Sequence, residues 1–480
     1  MKRKHSGQLG GWLVAGLLLS LGCGSGATTG NGDSAAQSGS GGSSGSDGGS
    51  GITPSEAGIE SGADSTGISS ESGSDASDAT TDAQGDSGQP NADAGGCPVL
   101  PVPGTCAPPT DIRCPYPKLS QTGCVDPANP LKLASVVIPY EVNSPLWSDG
   151  ALKTRGIRIP AGQKIHVKDC VKNPMECCVK DPAGACLPPA DDGKWVLPVG
   201  TVMVKNFQFA DTSQASGIKF VETRLFVHMD HVDPISMSDW VGYSYQWNEA
   251  QTEATITSSS DPNTDMEATA VFQVKPTAAA ATQSVTWIIP SRAECMRCHK
   301  AITPTGGSTL GIETMQLNRI AKGDTMNQID KLAMMGLFDT VLAKPYKAAL
   351  VAPYVGQAGA PPAGASLDVR ARSYLHANCS FCHRPDSDVN TMDMRFDVPF
   401  KDTHLCNGMP GKGDQGVPGA LLVTPKNPMS SIVLLRMSAP PADLMTGSHG
   451  RMPPIATWVV DTSGTTLISD WIKGIAACPP

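Results

Sequence analysis

The chain has 480 residues, with 36 basic and 45 acidic residues and a formal net charge of −9 at pH 7. Eleven acidic residues lie in residues 24–96, which contain no Lys or Arg, whereas residues 1–23 contribute three positive charges. Residues 97–480 are therefore left with a formal charge of about −1, and this near-neutral balance gives no reason to expect nucleic-acid binding. The length allows two or three domains.

Residues 1–23 have the pattern of an export signal. A basic start, MKRKHSGQLG, precedes the apolar run WLVAGLLLSL, which is too short to span a bilayer, and then come Gly22 and Cys23. The sequence LSLGC resembles a bacterial lipobox, except that Ser20 stands where Leu is common. We expect lipidation at Cys23, with ordinary signal cleavage nearby as the alternative. The predicted protein is exported and membrane-anchored, in the periplasm, at the outer membrane or at the cell surface.

Residues 24–96 form a low-complexity segment dominated by Gly, Ser, Asp, Ala and Thr. Such a composition cannot bury enough apolar surface to offset the entropy lost on ordering, so we expect a disordered tether. Residues 97–130 are rich in Cys and Pro and predict a segment held by disulfides, with little core of its own.

The chain has fifteen cysteines. Apart from Cys23, four belong to two motifs of the same spacing, CMRCH at 295–299 and CSFCH at 379–383, and an even ten remain. An even remainder in an exported chain is typical of disulfides. Eight of the ten precede the first motif, and their connectivity is open. Cys406 and Cys478 lie late in the chain and could pair with each other.

Residues 131–290 have a strand-like pattern. Short runs rich in β-branched and aromatic residues, such as VMVKNFQF, VETRLFVHM, VGYSYQWN and SVTWIIP, are separated by turn residues and not by helical patterns. We predict an all-β, sandwich-like domain. Within it, NSPLWSDGA predicts a packed corner.

The chain after Pro290 changes to helical spacing. TMNQIDKLAMMGLF places Met326, Ile329, Leu332 and Met335 on one face of a predicted helix. SLDVRARSYLHANCSFCH predicts a helix that runs into the second motif, and TTLISDWIKGIAAC predicts a terminal helix. We therefore expect the last third to consist of helices joined by long loops.

A CxxCH spacing serves three kinds of chemistry, namely a zinc site, a redox dithiol or covalent haem. A structural zinc site needs four ligands in a compact group, whereas each motif offers three and 79 residues separate the two. A thioredoxin-like dithiol lies in a βαβ context, which the surrounding pattern lacks, and it leaves both histidines unexplained. Haem attachment explains both cysteines and the histidine of the motif, because the two thiols reach the two vinyl groups and the histidine falls beneath the iron.

We therefore predict two covalently bound haem c groups. The first uses Cys295 and Cys298 as thioethers and His299 as the proximal iron ligand; the second uses Cys379, Cys382 and His383 in the same roles. Export agrees with this prediction, because c-type attachment takes place outside the cytoplasm.

Met452, in the sequence GRMPPI, is the candidate second axial ligand of the second haem. Two prolines after it restrict the backbone to extended geometry and could hold the thioether toward the iron, although most methionines simply fill core space. The order helix, CxxCH, long loop, Met-Pro-Pro and terminal helix is that of a class I cytochrome c domain. The predicted fold is thus multidomain: an all-β sandwich-like domain over 131–290, a first haem-binding segment over 291–365 and a mainly α, class I cytochrome c-like region over 366–480.

The second ligand of the first haem stays open at this stage. Met315 is close in sequence to the first motif, and His228 and His231 lie at the end of a predicted strand, where a solvated turn explains them equally well. The sixth position is either filled from the β domain or open.

Several of these stretches occur together in one family. The chain resembles a family of largely uncharacterised bacterial dihaem c-type cytochromes through YEVNSPLWSDGALKTR, PVGTVMVKNF, AECMRCH, LGIETMQLNR, YLHANCSFCHRP and RMPPI, in this order, within residues 118–475. The resemblance implies two covalent haems, an exported location and electron transfer as the default role, without a defined substrate.

We therefore expect a lipid-anchored dihaem cytochrome that passes single electrons between redox protein partners. One alternative is a peroxidase-like haem enzyme, in which the first iron lacks a strong sixth ligand. Another is an anchored binding module whose haem is only structural.

Overall fold

The structure of this chain, a computed structural model, describes residues 105–168, 173–177, 179–180, 186–187, 194–233, 237–258, 265–299, 309–354, 363–385, 387, 389, 391–440, 450–455 and 457–480. The predicted export signal, lipidation at Cys23 and the predicted tether lie outside these residues. The described residues all belong to one compact unit, which spans 90–480.

The strands within the described residues number fourteen. They are β1 Val125–Asp126, β2 Asn129–Leu133, β3 Ile138–Tyr140, β4 Leu152–Arg158, β5 His166–Val167, β6 Val179–Lys180, β7 Cys186–Leu187, β8 Trp195–Val196, β9 Val202–Ala210, β10 Ile218–Asp233, β11 Ser238–Trp247, β12 Ala254–Ile256, β13 Ala268–Val274 and β14 Gln283–Ile289.

Six of these strands form one antiparallel sheet in the order β12-β11-β10-β9-β4-β3. Its central strands, β9, β10 and β11, are the sequences richest in β-branched and aromatic residues, which suit a pleated surface buried on both sides. In the register, Phe226 of β10 lies between Met203 of β9 and Gly242 of β11. Because side chains alternate along a strand, these residues and those two positions away share one face.

The N-terminal cysteine-rich segment covers the opposite face of the sheet. Tyr243 and Tyr245 of β11 point toward it and donate their hydroxyls to the carbonyls of Ile112 (2.8 Å) and Tyr116 (3.0 Å). The Cys106–Cys124 disulfide holds this segment closed, with a sulfur–sulfur distance of 2.01 Å. The segment therefore contributes to the sheet's core, which the sequence analysis did not anticipate.

The face that carries Phe226 is covered at two ends. At one end the β13–β14 hairpin packs its Trp287 against Phe207, with ring centroids 5.2 Å apart, and the indole donates to Glu222 at 2.8 Å. At the other end Phe226 belongs to a core cluster that includes Leu317 and other residues after residue 309. The middle of this face is left for the first CxxCH motif.

Helices in the described residues are short. The α-helices are α1 Arg292–His299, α2 Thr314–Leu317, α3 Gln328–Met334, α4 Leu367–Cys379, α5 Ile432–Ser438 and α6 Thr462–Gly474, and the 3-10 helices are Leu119–Thr122, Pro174–Cys177, Phe400–Asp402 and Pro428–Ser430.

The predicted fold class is wrong. Strands outnumber helices, and the described part of 366–480 is not mainly α, because its helices α4, α5 and α6 have only 13, 7 and 13 residues and loops and turns connect them. The class I cytochrome c-like region is therefore not observed. Pro- and Gly-rich stretches such as GMPGKGDQGVPG interrupt the chain between α4 and α5, and such residues cannot continue a helix. The described β part is likewise one six-stranded sheet accompanied by four two-stranded sheets, among them the β13–β14 hairpin, rather than two broad sheets.

Other local predictions were more successful. Helices α3 and α4 lie within two of the stretches predicted to be helical, and α6 overlaps the third but begins before it, at Thr462. Cys406 and Cys478 form the expected disulfide, with a sulfur–sulfur distance of 2.08 Å. Helix α3, however, begins at Gln328 and buries Ile329 and Leu332, whereas Met326 and Met335 are exposed. No helix in the described residues is both long and apolar enough to cross a bilayer.

Candidate functional site

The first motif lies on helix α1, directly after β14. Ser291 and Glu294 form a capping box, in which the Ser291 hydroxyl accepts from the Glu294 amide at 3.2 Å and the Glu294 carboxylate accepts from the Ser291 amide at 3.0 Å. The fully buried Arg292 donates to Asp233 at 2.7 Å, which fixes the helix to the end of β10. The sequence SRAE has the Ser-x-x-Glu pattern of a capping box, from which the start of this helix could have been predicted.

Cys295 packs directly on the sheet at Gly242. A Cβ atom at Gly242 would lie 2.7 Å from the Cys295 sulfur, so only glycine leaves room for the thiol at this point of β11. His299, at the end of α1, contacts the Phe226 ring with centroids 4.3 Å apart. The residues of the first motif therefore lie against the middle of the sheet.

The second motif follows helix α4. Ser366 caps this helix by accepting from the Val369 amide at 3.2 Å, and the helix ends at Cys379. The backbone then turns so that the His383 amide donates to the Cys379 carbonyl at 2.9 Å. This one turn of backbone fixes the position of His383 relative to Cys379.

A buried histidine ties α4 to the segment after the first motif. His376 interacts through Nε2 with Glu313 at 2.8 Å, and its Nδ1 accepts from the Phe396 amide at 3.0 Å. Since Nδ1 accepts, Nε2 carries the proton and donates to the carboxylate. This pair fixes the position of the second motif relative to α2.

The two motifs converge although 79 residues separate them in sequence. The Cys298 and Cys382 thiols are hydrogen-bonded to each other, and the Cys382 thiol also donates to the Arg297 carbonyl at 3.8 Å. None of the four motif cysteines, all of which are described, is in a disulfide. The chain therefore brings four thiols into one region.

Two adjacent cavities lie at this region. The larger one, about 480 Å³, is in the size range of small-molecule sites and is lined by Cys379, Cys382, His383 and Met452, among others. The smaller one, about 120 Å³, is lined by Cys295 and His299, and by long side chains such as Met203 and Lys205 that project into it. Four residues line both cavities: Cys298, Phe381, Pro453 and Ile455.

The Met452 segment is anchored to helix α5. The Met452 amide donates to the Arg436 carbonyl at 3.1 Å, and the Arg436 guanidinium donates to the Gly450 carbonyl at 3.2 Å. The buried Arg451 donates to the carbonyls of Ala439 (2.8 Å) and Thr457 (3.2 Å). These hydrogen bonds hold the Met452 segment, which is neither helix nor strand, beside the second motif.

The sequence NSPLWSDGA forms a packed corner, as predicted, and it connects the sheet to the second motif. The Trp147 amide donates to the Asn378 side chain at 2.7 Å, next to the second motif. Asp149 accepts from the amides of Trp458 (3.0 Å) and Val459 (2.9 Å), just beyond the Met452 segment. Burial raises the pKa of Asp149, and these two amides lower it in part.

The electrostatics favour neutral thiols and a neutral imidazole. Burial raises the pKa of Cys295 to about 11 and that of Cys379 to about 12, and the hydrogen bond to Cys382 together with burial raises that of Cys298 well above its usual value. A dithiol oxidoreductase needs the opposite, a lowered thiol pKa. Burial, and then the charge of Arg436, lower the pKa of His383, which keeps the ring in the form that ligates metals.

The donor set at the second motif fits a haem. Among the described side chains no group of three or more His, Cys, Asp or Glu is placed to hold a metal ion. A haem iron does not need such a group of ligands, since one imidazole and one thioether complete its axial positions. His383 Nδ1 is buried and has no hydrogen-bond partner among the described atoms, and Met452 lines the same cavity. The donors at the first motif fit in part: two thiols and His299 line one cavity, and Gly242 leaves room for Cys295.

The candidate second ligands for the first motif are not brought to it. His228 donates from Nδ1 to the Leu197 carbonyl (3.0 Å), its Nε2 lies 3.1 Å from a carboxylate oxygen of Asp239, and its ring stacks on Trp240. His231 is exposed and pairs with Asp230 at 2.6 Å. Neither histidine, nor Met315, is among the residues that line the first cavity.

Comparisons with known proteins found no match for this chain. No protein-family model, no curated protein and no solved structure matches it. The resemblance to dihaem c-type cytochromes therefore stays a prediction.

Proposed function

We propose that this protein is an exported dihaem c-type cytochrome whose role is electron transfer. The observation that carries the proposal is the convergence of the two CxxCH motifs, with the Cys298 and Cys382 thiols in contact and a cavity at each motif. Two converging CxxC motifs could also form a structural zinc site, but no three His, Cys, Asp or Glu side chains in the described residues are placed to hold a metal ion, and a redox dithiol leaves both histidines unexplained. Two haems that exchange electrons need this proximity.

The cysteine thiols have the chemistry that attachment requires. Each thiol adds across one haem vinyl group, so that a sulfur–carbon bond forms, the thiol hydrogen goes to the adjacent carbon and nothing leaves. In the folded chain the raised pKa values of Cys295, Cys298 and Cys379 keep these thiols protonated. When bound, haem supplies one-electron exchange between ferric and ferrous iron.

Three apolar side chains lie at the common boundary of the two cavities. Phe381, Pro453 and Ile455 line both cavities and contribute no charge. A dry boundary lowers the cost of reorganising solvent when an electron moves between neighbouring sites. These side chains are therefore proposed to pack between the two prosthetic groups.

Met452 is proposed as the second axial ligand at the second motif, opposite His383. Both residues line the larger cavity, and α5 holds the Met452 backbone. Because Met paired with His raises the potential of a haem, we propose that the second site has the higher potential of the two.

The disulfides agree with an exported location. Cys106–Cys124 and Cys406–Cys478 are typical of an oxidising compartment, where c-type attachment also takes place. Anchoring through Cys23 is part of the proposal on sequence grounds alone. Its test is incorporation of labelled palmitate into the full chain, which Cys23→Ala should abolish.

A reductive titration tests the electron-transfer role. The full chain is produced in a host with c-type haem maturation, haem is quantified, and reductant is added stepwise while absorbance is followed. We expect two haems and two electrons per chain, and peroxide turnover no faster than that of free haem. A chain without covalent haem contradicts the proposal, and rapid peroxide turnover favours the peroxidase-like alternative.

A further inference from the structure

A row of three cationic side chains crosses the sheet face inside the first cavity. Arg155 of β4 pairs in register with Lys205 of β9, and Lys205 pairs with Arg224 of β10. All three line the same cavity as Cys295. Since neighbouring strands are roughly 4.8 Å apart, the row spans about 10 Å and runs away from β11, where Cys295 packs.

Only one member of this cationic row has a carboxylate partner. Arg224 donates to both oxygens of Glu222, at 2.6 Å and 2.8 Å. Among the described residues, neither Arg155 nor Lys205 makes an ion pair or a side-chain hydrogen bond. Two positive charges on the cavity wall are thus left without a counter-ion.

The acidic groups near the row are committed to other partners. Glu141, which is close to Arg155, pairs with Arg319 at 2.8 Å. Asp149 accepts from two backbone amides, as described above. Glu294, which lines the cavity, accepts from the Ser291 amide in the capping box. Asp149 and Glu294 thus bond to neutral amides and Glu141 to Arg319, and no acidic side chain described here forms an ion pair with Arg155 or Lys205.

Another cation makes the imbalance larger. Lys153 lies two residues before Arg155 on the same face, and its ammonium donates only to the Ala151 carbonyl at 2.9 Å. Burial, and then the charge of Arg155, lower the pKa of Lys205 well below its usual value. Arg155 and Lys205 are half-buried, and cationic side chains held side by side without a counter-ion repel one another, so a row of this kind favours an anionic ligand.

We propose that Arg155 and Lys205 form a carboxylate-binding site, which takes the propionate groups of the haem attached at Cys295 and Cys298. The inference rests on the proposed function, because it needs a haem at the first motif. In haem the propionates occupy the edge opposite the vinyl groups. The row has the matching direction, since it begins on β10, the strand next to β11 where the thiol packs, and extends two strands further from it. Arginine also presents the planar fork that binds a carboxylate through two hydrogen bonds.

The alternative occupant of the Arg155–Lys205 site is a free oxyanion, which would make the same hydrogen bonds as a propionate. A small anion bound by Arg155 and Lys205 beside an iron would indicate a substrate site and not a haem anchor. The two sources differ in one respect that can be measured: propionates are part of the covalently attached group, whereas a free anion can be titrated into the loaded protein.

The test compares the loaded full chain with the double variant Arg155→Gln, Lys205→Gln. Haem stays bound through its thioethers in both proteins, and intact mass verifies this. Midpoint potentials are measured over a range of pH, and inorganic phosphate is titrated calorimetrically. Lys132→Gln, an exposed position on β2, is the control for lost charge, and Arg155→Lys with Lys205→Arg retains the charge of the row.

In the double variant we expect one of the two potentials to fall, because removing positive charge favours ferric iron. That potential should also fall further as pH rises near neutrality, since propionates without cations keep protons that oxidation then releases. The Lys132→Gln control should match the wild type, the charge-retaining variant should lie closer to the wild type than to the double variant, and phosphate should not bind to the wild type.

Two results overturn the inference. The first is a double variant whose potentials and pH profile equal those of Lys132→Gln. The second is saturable phosphate binding to the loaded wild type that Arg155→Gln abolishes, which assigns the site to a free oxyanion. A wild-type chain whose mass shows no haem at the first motif contradicts the proposed function itself, and this is determined before any variant is compared.

Discussion

The two motifs have the same spacing but are held in different ways. The first lies on a short helix pressed against a wide antiparallel sheet, beside a row of cations that extends along the sheet face. The second lies at the end of a longer helix, among loops held by hydrogen bonds that Arg436 and Arg451 donate and that Asp149 accepts. One sequence motif is thus built into two unequal environments.

This difference suggests unequal roles for the two sites. The loop-built second site brings together an imidazole and a thioether, which suits closure of both axial positions of an iron. The sheet-built first site offers fixed charges, which suits control of the carboxylates at the far edge of a haem. Five predictions follow this comparison, from the largest expected effect to the smallest.

The contact between the two sites predicts a crosslink across the motifs. In a haem-free Cys295→Ala, Cys379→Ala chain, diamide should oxidise Cys298 and Cys382 to a disulfide, with both thiol hydrogens transferred to diamide. Peptide mapping should show nearly complete conversion, because the two thiols are in contact. The complementary variant, which keeps Cys295 and Cys379, should remain reduced. Equal crosslinking in both variants would contradict the arrangement of the motifs.

The loop-built site predicts a large effect for Met452→Ala in the loaded protein. Axial ligands set haem potentials over a range of ~0.8 V, so loss of the thioether should lower one of the two potentials by about 0.1–0.3 V and change the ferric spectrum. Spectroelectrochemistry measures both changes. Met409→Ala, at an exposed position, should have no effect. An unchanged ferric spectrum would remove Met452 as a ligand.

The sheet-built site predicts a steric effect at Gly242. Gly242→Val places a branched side chain against the Cys295 sulfur, where even a Cβ would be 2.7 Å away, and should destabilise the fold by about 1–3 kcal/mol. The fraction of chains that carry the first haem should fall, while the second haem is retained. Gly411→Ala, where a Cβ meets nothing within 4 Å, serves as the control. Chemical denaturation and peptide mass mapping give the two readouts.

The corner that joins the two regions predicts a smaller effect. Asp149→Ala leaves the Trp458 and Val459 amides without their acceptor and should lower the free energy of unfolding by ~1–3 kcal/mol. Asp149 also has a positive φ of 48°, which Asn tolerates better than Ala. Asp149→Asn should therefore be the milder variant in urea denaturation. Equal losses for both variants would argue against a hydrogen-bonding role.

The smallest predicted effect is a pH dependence from Lys205 in a Cys295→Ala, Cys298→Ala chain that lacks the first haem. Folding lowers the pKa of Lys205, so the unfolded chain binds more protons between the lowered value and about 10.4, and stability should rise with pH in that window by at most ~1.4 kcal/mol per unit. Lys205→Met should flatten this slope. Denaturation at several alkaline pH values checks it, with Lys132→Met as the control. A slope that Lys205→Met leaves intact would assign the effect to other groups.

Sequence patterns predicted the local structure better than the assembly. The strands of the sheet, helices α3, α4 and α6 and the Cys406–Cys478 disulfide follow from periodicity, composition and parity of cysteines. The prediction of a mainly α, class I cytochrome c-like region was wrong. It rested on the order of the motifs, and this order does not determine how much of the intervening chain is helical. The capping box at Ser291 and Glu294 was readable but was overlooked.

Long-range placement was beyond the sequence. Nothing local to either motif indicates that Cys298 meets Cys382, since that contact depends on the His376–Glu313 pair and on the corner at Asp149. The cationic row could not be predicted from the sequence either. Arg155, Lys205 and Arg224 are each ordinary strand residues in sequence, and only the register of three strands places them side by side.

The most direct test of the central claim is peptide mass mapping of the full chain after production in a host with c-type haem maturation. The account predicts one haem on the peptide that contains Cys295 and Cys298 and one on the peptide that contains Cys379 and Cys382. If either peptide carries unmodified thiols, a disulfide or zinc in a fully matured preparation, the dihaem assignment is contradicted.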